Sequence, residues 1–468
     1  MTRQNDRESM NHADCDLLII GAGQAGPPLA IALAKKGWSV VVVERRQLGG
    51  SCVNFGCTPT KAVIASARVA QLARRGREFG VRIGSVEPDL AAVLDRAQGI
   101  VNQSRIGLRE ALANEKNVTM IEGHARLDGR EGGAFRVRVG DRAVTARQVV
   151  IDTGTRSRIP PVDGIEKIDY RTAENWLSRP ELPRHLVFLG GGYTGLEMAQ
   201  FYRRMGAAVT VVEEMSQIAG REDEDVSVAL RTLLESEDVQ FCLEARAARV
   251  EKWGNGVRLS LARKNGREIL EASDLFVATG RRPNTDDLGL ETIGLEPEKD
   301  GTIRVTKRLA TKVRGVWAAG DVRGGPMFTH TAWDDYRILL SQLAADGTRT
   351  TDRIVPYAIY TDPQLGRVGM TEAEARKSGR RVRVARYEMR QNGKAREIGE
   401  TEGFVKVVAD ARGGRILGAA VLAAEGAELV HLFVDVMNAG GRSAAIRDAV
   451  HIHPTLAEAI QSAVFGLQ

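Results

Sequence analysis

CDLLIIGAGQAGPPLAIALAKKGWSVVVVE, residues 15 to 44, decides the fold. An apolar run of strand length leads into Gly21, Gly23 and Gly26 in GxGxxG spacing, an Ala/Leu-rich helical stretch follows, and a second apolar run closes on Glu44. Each part has a physical reason. Glycines permit a tight turn and let backbone N–H groups approach a diphosphate at the positive end of a helix, while an acid ending the second strand accepts hydrogen bonds from a ribose. Pro27 and Pro28 fall early in that helix, where a missing N–H costs least. LVFLGGGYTGLEMAQFYRRMGAAVTVVE, residues 186 to 213, repeats the plan with Gly190, Gly192, Gly195 and Glu213. From Gly21 to Glu44 and from Gly190 to Glu213 the step is 23 residues. A lone GxGxxG is a weak signal, but two complete strand–turn–helix–strand–acid units imply an α/β chain that binds two dinucleotides.

The rest of the composition narrows the class. A chain of 468 residues exceeds one ordinary core, so two to four domains are expected, and 50 glycines point to many tight turns. The net charge of +6 comes from 66 basic and 60 acidic residues scattered without a block of like charge. Nucleic-acid binding needs clustered cations, so no nucleic-acid partner is expected. Residues 1 to 14 are polar with no apolar core behind them, and the longest apolar runs, Leu17 to Ile20 and Val40 to Val43, fall far short of the ~20 residues of a bilayer span. A soluble cytoplasmic protein without a membrane partner is expected. Four cysteines, Cys15, Cys52, Cys57 and Cys242, are too few and too irregular for a secreted disulfide scaffold. Cys15 and Cys242 read as small buried apolar residues.

GGSCVNFGCTPTKA, residues 49 to 62, places Cys52 and Cys57 where they could hold a metal, brace the fold or carry electrons. A CxxxxC pair without further ligands does not fit a zinc site, and no metal is expected. In an ideal helix residues five apart stand roughly 8 to 9 Å apart at Cα, beyond the ~4.4 to 6.8 Å of a disulfide. A bridge therefore requires a bend, which Gly56 and Pro59 are suited to permit and fix. At a helix start, thiolates would also gain from the partial positive charge. HIHPTLAEAI, residues 451 to 460, offers His453 and Glu458: an imidazole to move protons near neutral pH and a carboxylate to fix its tautomer, or else a histidine that merely caps a helix. His451 reads as a neighbour without a role.

Together, the first fingerprint, the cysteine motif, the strand-ending turns at Thr153–Gly154 and Thr279–Gly280–Arg281, and the Gly320–Asp321 strand end resemble the flavin-dependent pyridine nucleotide-disulfide oxidoreductases over nearly the whole chain. The resemblance implies two Rossmann-like FAD/NAD(P)-binding domains plus a C-terminal α+β dimerisation domain. The FAD-binding domain would span 15–155 and 278–350, the NAD(P)-binding domain 156–277 and the dimerisation domain 351–468, after a polar extension over 1–14. It further implies FAD in the first unit, with Gly50, Glu44 on the adenosine ribose and Asp321 on the ribityl chain, and a nicotinamide dinucleotide in the second, with Tyr193 as an aromatic gate. Glu213 favours NADH, since a carboxylate repels a 2′-phosphate; Arg203, Arg204 and Arg221 keep NADPH open.

By the same resemblance Cys52 and Cys57 form the redox-active disulfide, with Cys57 the flavin-proximal thiol and Cys52 the one that attacks substrate. Lys61 is the lysine beside the flavin, Glu197 its ion-pair partner, and His453 with Glu458 the base–carboxylate pair that serves the disulfide of the other subunit of a homodimer. The helix beginning near His330 would face the flavin, with His330 itself structural. PTKA, REDED, GDVRGGPMFTHTAWDDYRI and LGRVGMTEAEARKSG resemble the mercuric-reductase-like enzymes of bacterial reactive-chlorine resistance; dihydrolipoyl dehydrogenases are also similar. The chain is expected to pass hydride from NADH through FAD to the cysteine pair and on to a small-molecule disulfide, thiol oxidant or metal ion. The alternatives are a dihydrolipoyl dehydrogenase, running those steps in reverse, and a structural subunit of an acyltransferase complex.

Overall fold

The computed structural model describes residues 14–467. Of the polar stretch 1–14, only Asp14 lies within them, where its carboxylate accepts from the Thr145 backbone N–H at 2.8 Å.

The first fingerprint builds a doubly wound unit. Strands β1 (Cys15–Ile20), β2 (Val40–Glu44) and β3 (Val118–Glu122) run parallel, and β4 (Ala125–Glu131), β5 (Ala134–Val139) and β6 (Arg142–Ile151) form an antiparallel meander. Sheet order is β3-β2-β1-β6-β5-β4, and β16 (Val316–Ala318) pairs in parallel with the end of β6. Successive residues of a strand face opposite sides. Leu17, Ile19, Val40 and Val42 accordingly share a core with helices α1 (Gly26–Ala34) and α7 (Thr329–Ala344), while Leu18, Ile20, Val41 and Val43 share one with the meander. The two prolines occupy the first turn of α1, as their missing N–H groups require. Helices α2 (Gly50–Asn54), α3 (Cys57–Arg74) and α4 (Leu90–Ala113) follow β2. In α4 the apolar stripe Leu90, Leu94, Ala97, Val101 and Leu112 is buried, and the Asp89 carboxylate caps the start by accepting from the Ala92 N–H at 3.1 Å.

The second fingerprint repeats this topology. Between the halves of the first unit, a ribbon of β7 (Thr155–Ser157) and β15 (Arg281–Pro283) brackets strands β8 (His185–Leu189), β9 (Ala208–Val212), β10 (Val239–Cys242) and β14 (Asp274–Val277). These lie parallel in the order β10-β9-β8-β14, with α5 (Tyr193–Met205), α6 (Glu224–Ser236) and an antiparallel meander of β11 (Ala245–Trp253), β12 (Gly256–Arg263) and β13 (Gly266–Ala272).

The C-terminal part is an antiparallel sheet of order β17-β18-β21-β20-β19, built from Tyr357–Ile359, Gln364–Gly369, Ile416–Ala423, Phe404–Asp410 and Val382–Glu388. From Tyr357 onward the sequence reads as strands with turns, LGRVGMTEAEARKSG among them, followed by helical segments around Glu428 to Asn438 and Thr455 to Val464, and two details depart from that expectation. TEAEARK is helical, α8 (Glu372–Lys377), because Thr371 and Glu374 cap its first turn reciprocally. The two late helices are shorter and broken: α9 (Gly393–Glu397) precedes α10 (Gly426–Leu429), α11 (His431–Asn438) and α12 (Ser443–Arg447), and α13 (Glu458–Phe465) begins only at Glu458. Among the described residues no helix is long and apolar enough to cross a membrane. Cys15 is buried as expected; Cys242, at the end of β10, is only half-buried.

Candidate active site

The cysteine motif folds as two helices, not one. α2 stops at Asn54 and α3 starts at Cys57, so Cys52 and Cys57 stand on either side of a break at Phe55 and Gly56. Gly56 is required there, because a Cβ on it would lie 2.9 Å from the Ser51 carbonyl oxygen that its own N–H reaches at 2.7 Å. The break frees the Phe55 carbonyl, and the indole N–H of buried Trp176 donates to it at 3.1 Å. The Asn54 amide ties the same loop down by donating to the Leu48 and Gly50 carbonyls at 2.9 and 2.8 Å. Both cysteines are free thiols in this structure.

Their protonation differs. A hydrogen bond from Cys52, opposed by burial and helped by the Lys61 ammonium, pulls Cys57 down to about 6; the same hydrogen bond, with burial, pushes Cys52 far up. Cys57 is thus the thiolate of the pair and Cys52 its donor. The Thr329 hydroxyl, in the first turn of α7, lies 3.2 Å from the Cys57 sulfur. Lys61 donates to Glu197 Oε2 at 2.7 Å, and the other oxygen of Glu197 accepts from the Tyr360 N–H at 2.8 Å. Burial opposes the Lys61 charge, but Glu197 and the Cys57 thiolate outweigh it and raise its pKa. Its ammonium also sits 4.4 Å from the centre of the Tyr360 ring. Glu197 is only 4% exposed, which rules out a solvated surface charge.

One cavity of about 1030 Å³ joins these groups to the first fingerprint. Cys52, Cys57, Lys61, Glu197 and Tyr193 line it together with Gly21, Gly23, Glu44, Gly50, Thr153, Gly154, Arg281, Gly320 and Asp321. Gly21, at φ 102°, has no room for a Cβ, which would sit 2.3 Å from the Asp152 carbonyl oxygen. Glu44 is aimed by backbone: Oε2 accepts from the Ala22 N–H and Oε1 from the Arg46 N–H, each at 2.8 Å. Arg281 donates to the Thr155 hydroxyl at 2.6 Å and to Ser51 at 3.2 Å, and that Thr155 hydroxyl donates to Asp321 at 3.1 Å. Burial raises the pKa of Asp321. A glycine cradle without side chains, an acid aimed by backbone N–H groups and a sulfur pair in one cavity suit a redox-active dinucleotide.

The glycines and the acid of the second fingerprint lie outside this cavity, although its helix α5 lends Tyr193 and Glu197 to the lining. Glu213 repeats the geometry of Glu44, accepting from the Gly191 and Met215 N–H groups at 2.7 and 2.8 Å, and Gly195 packs where a Cβ would meet the Gly190 carbonyl at 2.1 Å. Gly192 caps α5 in front of Tyr193. The Thr279–Gly280 turn receives the Arg158 side chain on the Thr279 carbonyl at 2.9 Å. Arg203 and Arg204 are committed elsewhere, to Asp238 and to Glu237 with Asp362, all at 2.7 Å. Arg221 is exposed.

His453 and Glu458 are paired, Nδ1 to Oε1 at 2.9 Å, and Glu458 also accepts from the Thr455 N–H at 2.7 Å. These two bonds hold Glu458 below the usual carboxylate range. The His453 side chain is 77% exposed and stands outside the cavity of its own chain. His330 donates from Nε2 to the Pro356 carbonyl at 2.7 Å, and its ring lies stacked 5.3 Å from Phe328. Sequence reasoning missed Thr329, Trp176, Tyr360 and Asp152. The first two carried no periodic or motif signal; Asp152 was visible as an acid ending the buried strand VVID.

The model of the pyridine nucleotide-disulphide oxidoreductases matches residues 15–335, and the dimerisation domain of the same enzymes matches 355–464. The chain belongs to this family. Its members use FAD and NAD(P)H. The chain is 34% identical over 463 residues to a dihydrolipoyl dehydrogenase of Cupriavidus necator, covering 97% of this chain and 98% of that one. It is 33% identical over 448 residues to the probable pyridine nucleotide-disulfide oxidoreductase RclA of Escherichia coli, covering 95% and 97%. Among solved structures, the HOCl-induced flavoprotein disulfide reductase RclA from Escherichia coli superposes with a TM-score of 0.88 at 32% identity, over 97% of this chain and 100% of that one. Its Cu(II) complex gives 0.87 at 33%, over 96% and 99%. The family and its fold stand as expected, as does the enzyme class of NAD(P)H-dependent flavoprotein disulfide reductase.

Proposed function

We propose that this oxidoreductase takes electrons from NADH and delivers them through the Cys57–Cys52 pair to a small oxidised acceptor: a disulfide, a thiol-reactive oxidant such as hypothiocyanite, or a metal ion such as Cu(II). The observation that carries the proposal is that Cys52 and Cys57 line the same cavity as the first glycine turn, Glu44 and Asp321, with Lys61 and Glu197 beside them. The glycine turn, Glu44 and Asp321 would hold FAD, which would supply the link between a two-electron hydride donor and the sulfur pair. Two electrons and two protons convert the disulfide to the dithiol. With its proton taken by His453, Cys52 attacks one sulfur of an acceptor disulfide and the other sulfur leaves as a thiol; Cys57 then attacks Cys52, expelling the second thiol and re-forming the S–S bond, whereas two Cu(II) ions would take the two electrons one each. Lys61, held in place by Glu197, keeps a positive charge beside the Cys57 sulfur that favours its thiolate, against the opposing charge of Glu197.

Proton handling falls to His453, oriented by Glu458. Because His453 stands outside its own chain's cavity, we place it at the cavity of a second copy. Val450 and Ile452 beside it are fully or largely exposed, apolar side chains that a partner would cover. NADH over NADPH is supported by Glu213 and Glu214 side by side, and by the engagement of Arg203 and Arg204 with other acids.

Steady-state turnover with NADH or NADPH against lipoamide, hypothiocyanite, Cu(II) and Hg(II) tests the reading. We expect NADH-linked reduction of the oxidant or Cu(II), slow lipoamide turnover and at least tenfold weaker use of NADPH. Fast NAD-linked oxidation of dihydrolipoamide would instead make the chain a dihydrolipoyl dehydrogenase, and co-purification with an acyltransferase complex without turnover would make it a structural subunit.

A further inference from the structure

Asp152 ends strand β6 one residue beyond Ile151 and lies directly beneath the first glycine turn. It is 5% exposed and lines the large cavity. Its Oδ2 accepts from the Gly26 N–H at 2.8 Å, at the start of α1. A Cβ on Gly23 would lie 3.0 Å from Oδ2 and 3.3 Å from Oδ1, and one on Gly320 2.9 Å from Oδ1. The carboxyl thus fills the space between the turn and the β16 strand end. Among the described residues no donor reaches Oδ1.

The charged groups facing it are acids: Asp321 beyond β16, Asp335 from α7 and Glu44 from β2. The nearby cations are spoken for, since Arg323 and Arg353 hold Asp335, at 2.7 Å each, and Arg281 lies toward Asp321. Burial, with these acids, raises its pKa well above the usual carboxylate range. An ionised carboxylate here would also compete for the positive end of α1, where a diphosphate has to sit. A neutral carboxylic acid has one O–H to give and carries no competing charge, while its carbonyl oxygen still accepts from the Gly26 N–H.

We propose that Asp152 is held protonated and donates from Oδ1 to the diphosphate of the flavin dinucleotide, making it a cofactor-binding residue that loosens the flavin as pH rises. The inference rests on the reading that FAD occupies the first fingerprint. As the proton leaves, a hydrogen bond to the diphosphate is replaced by repulsion between two anions.

The test is the rate of FAD release from purified holoprotein, followed by flavin fluorescence between about pH 6 and pH 9. Wild type should release FAD at least tenfold faster at the alkaline end. Asp152→Asn keeps a donor that does not titrate, so its release should stay within twofold across the range and be slower than wild type at high pH. Asp152→Leu should release FAD quickly at every pH. Asp152→Asn with the pH profile of wild type, or a flavin-loaded wild type whose release ignores pH, would overturn the proposal alone. A wild type that never retains FAD would overturn the reading of the first fingerprint instead.

Discussion

At the scale of single residues the site is a set of unequal neighbours. Cys57 is the acidic thiol because Cys52 donates to it and Lys61 stands close; removing the cation while keeping the shape should undo part of that. Lys61→Met is expected to raise the thiolate titration of reduced protein from about 6 by on the order of one unit, read from thiolate absorbance against pH. The thiolate forms as pH rises, so the variant should need more alkaline solution to show it. A titration unchanged by the substitution would remove Lys61 from the thiolate's support. Trp176 acts differently, as a positioning residue. Trp176→Phe leaves the Phe55 carbonyl buried without its donor, a loss of about 1–3 kcal/mol in denaturant unfolding, and it should also displace the Cys57 titration because the helix break is no longer held. A variant as stable as wild type with an unmoved titration would show that the break holds itself.

Elements explain what the motifs are for. The segment REDED, after the second fingerprint, docks on the C-terminal part of the chain. Glu222 meets buried Arg367 of β18 at 2.8 Å and accepts from the Tyr357 hydroxyl, while Asp223 accepts from the Glu372 and Ala373 N–H groups at 2.9 and 3.1 Å. Lys406 of β20 is shared among Asp223, Asp225 and Glu372 at 3.2, 3.0 and 2.9 Å. Arg367 is buried with Glu222 as its carboxylate, so Glu222→Ala should cost about 3–5 kcal/mol by stranding a charge. Asp225→Ala should cost less, since two carboxylates remain on Lys406. Urea unfolding of the two variants checks the order, and equal losses would contradict it.

Legibility follows the same elements. The strand–turn–helix units were readable because glycine spacing between two apolar runs is a local signal. The helix break between the cysteines was readable only as a need to bend; its position at Phe55 depends on Trp176, which is 121 residues away in the chain. The α8 helix hid in a stretch read as strand and turn, although Thr371 and Glu374 carry the capping-box spacing. Thr329 and Tyr360 reach the site through tertiary packing alone.

For the whole molecule, the decisive feature is what one chain lacks. Its cavity holds the sulfur pair, and its His453–Glu458 pair points into solvent, so we expect catalysis to need two copies. Mixing Cys52→Ser with His453→Gln chains should recover activity that neither variant has alone, because a mixed dimer retains one complete site; no recovery after exchange of subunits would place His453 outside the chemistry. The central claim is that electrons pass through the cysteine pair, and one anaerobic measurement tests it most directly: count the free thiols of oxidised protein before and after one equivalent of NADH, then add acceptor and follow its reduction, in wild type and in Cys52→Ser. The account predicts that NADH exposes Cys52 and Cys57 in wild type, that acceptor re-closes them, and that Cys52→Ser reduces no acceptor. Acceptor reduction at the wild-type rate by Cys52→Ser, with no thiols gained in wild type, would contradict it.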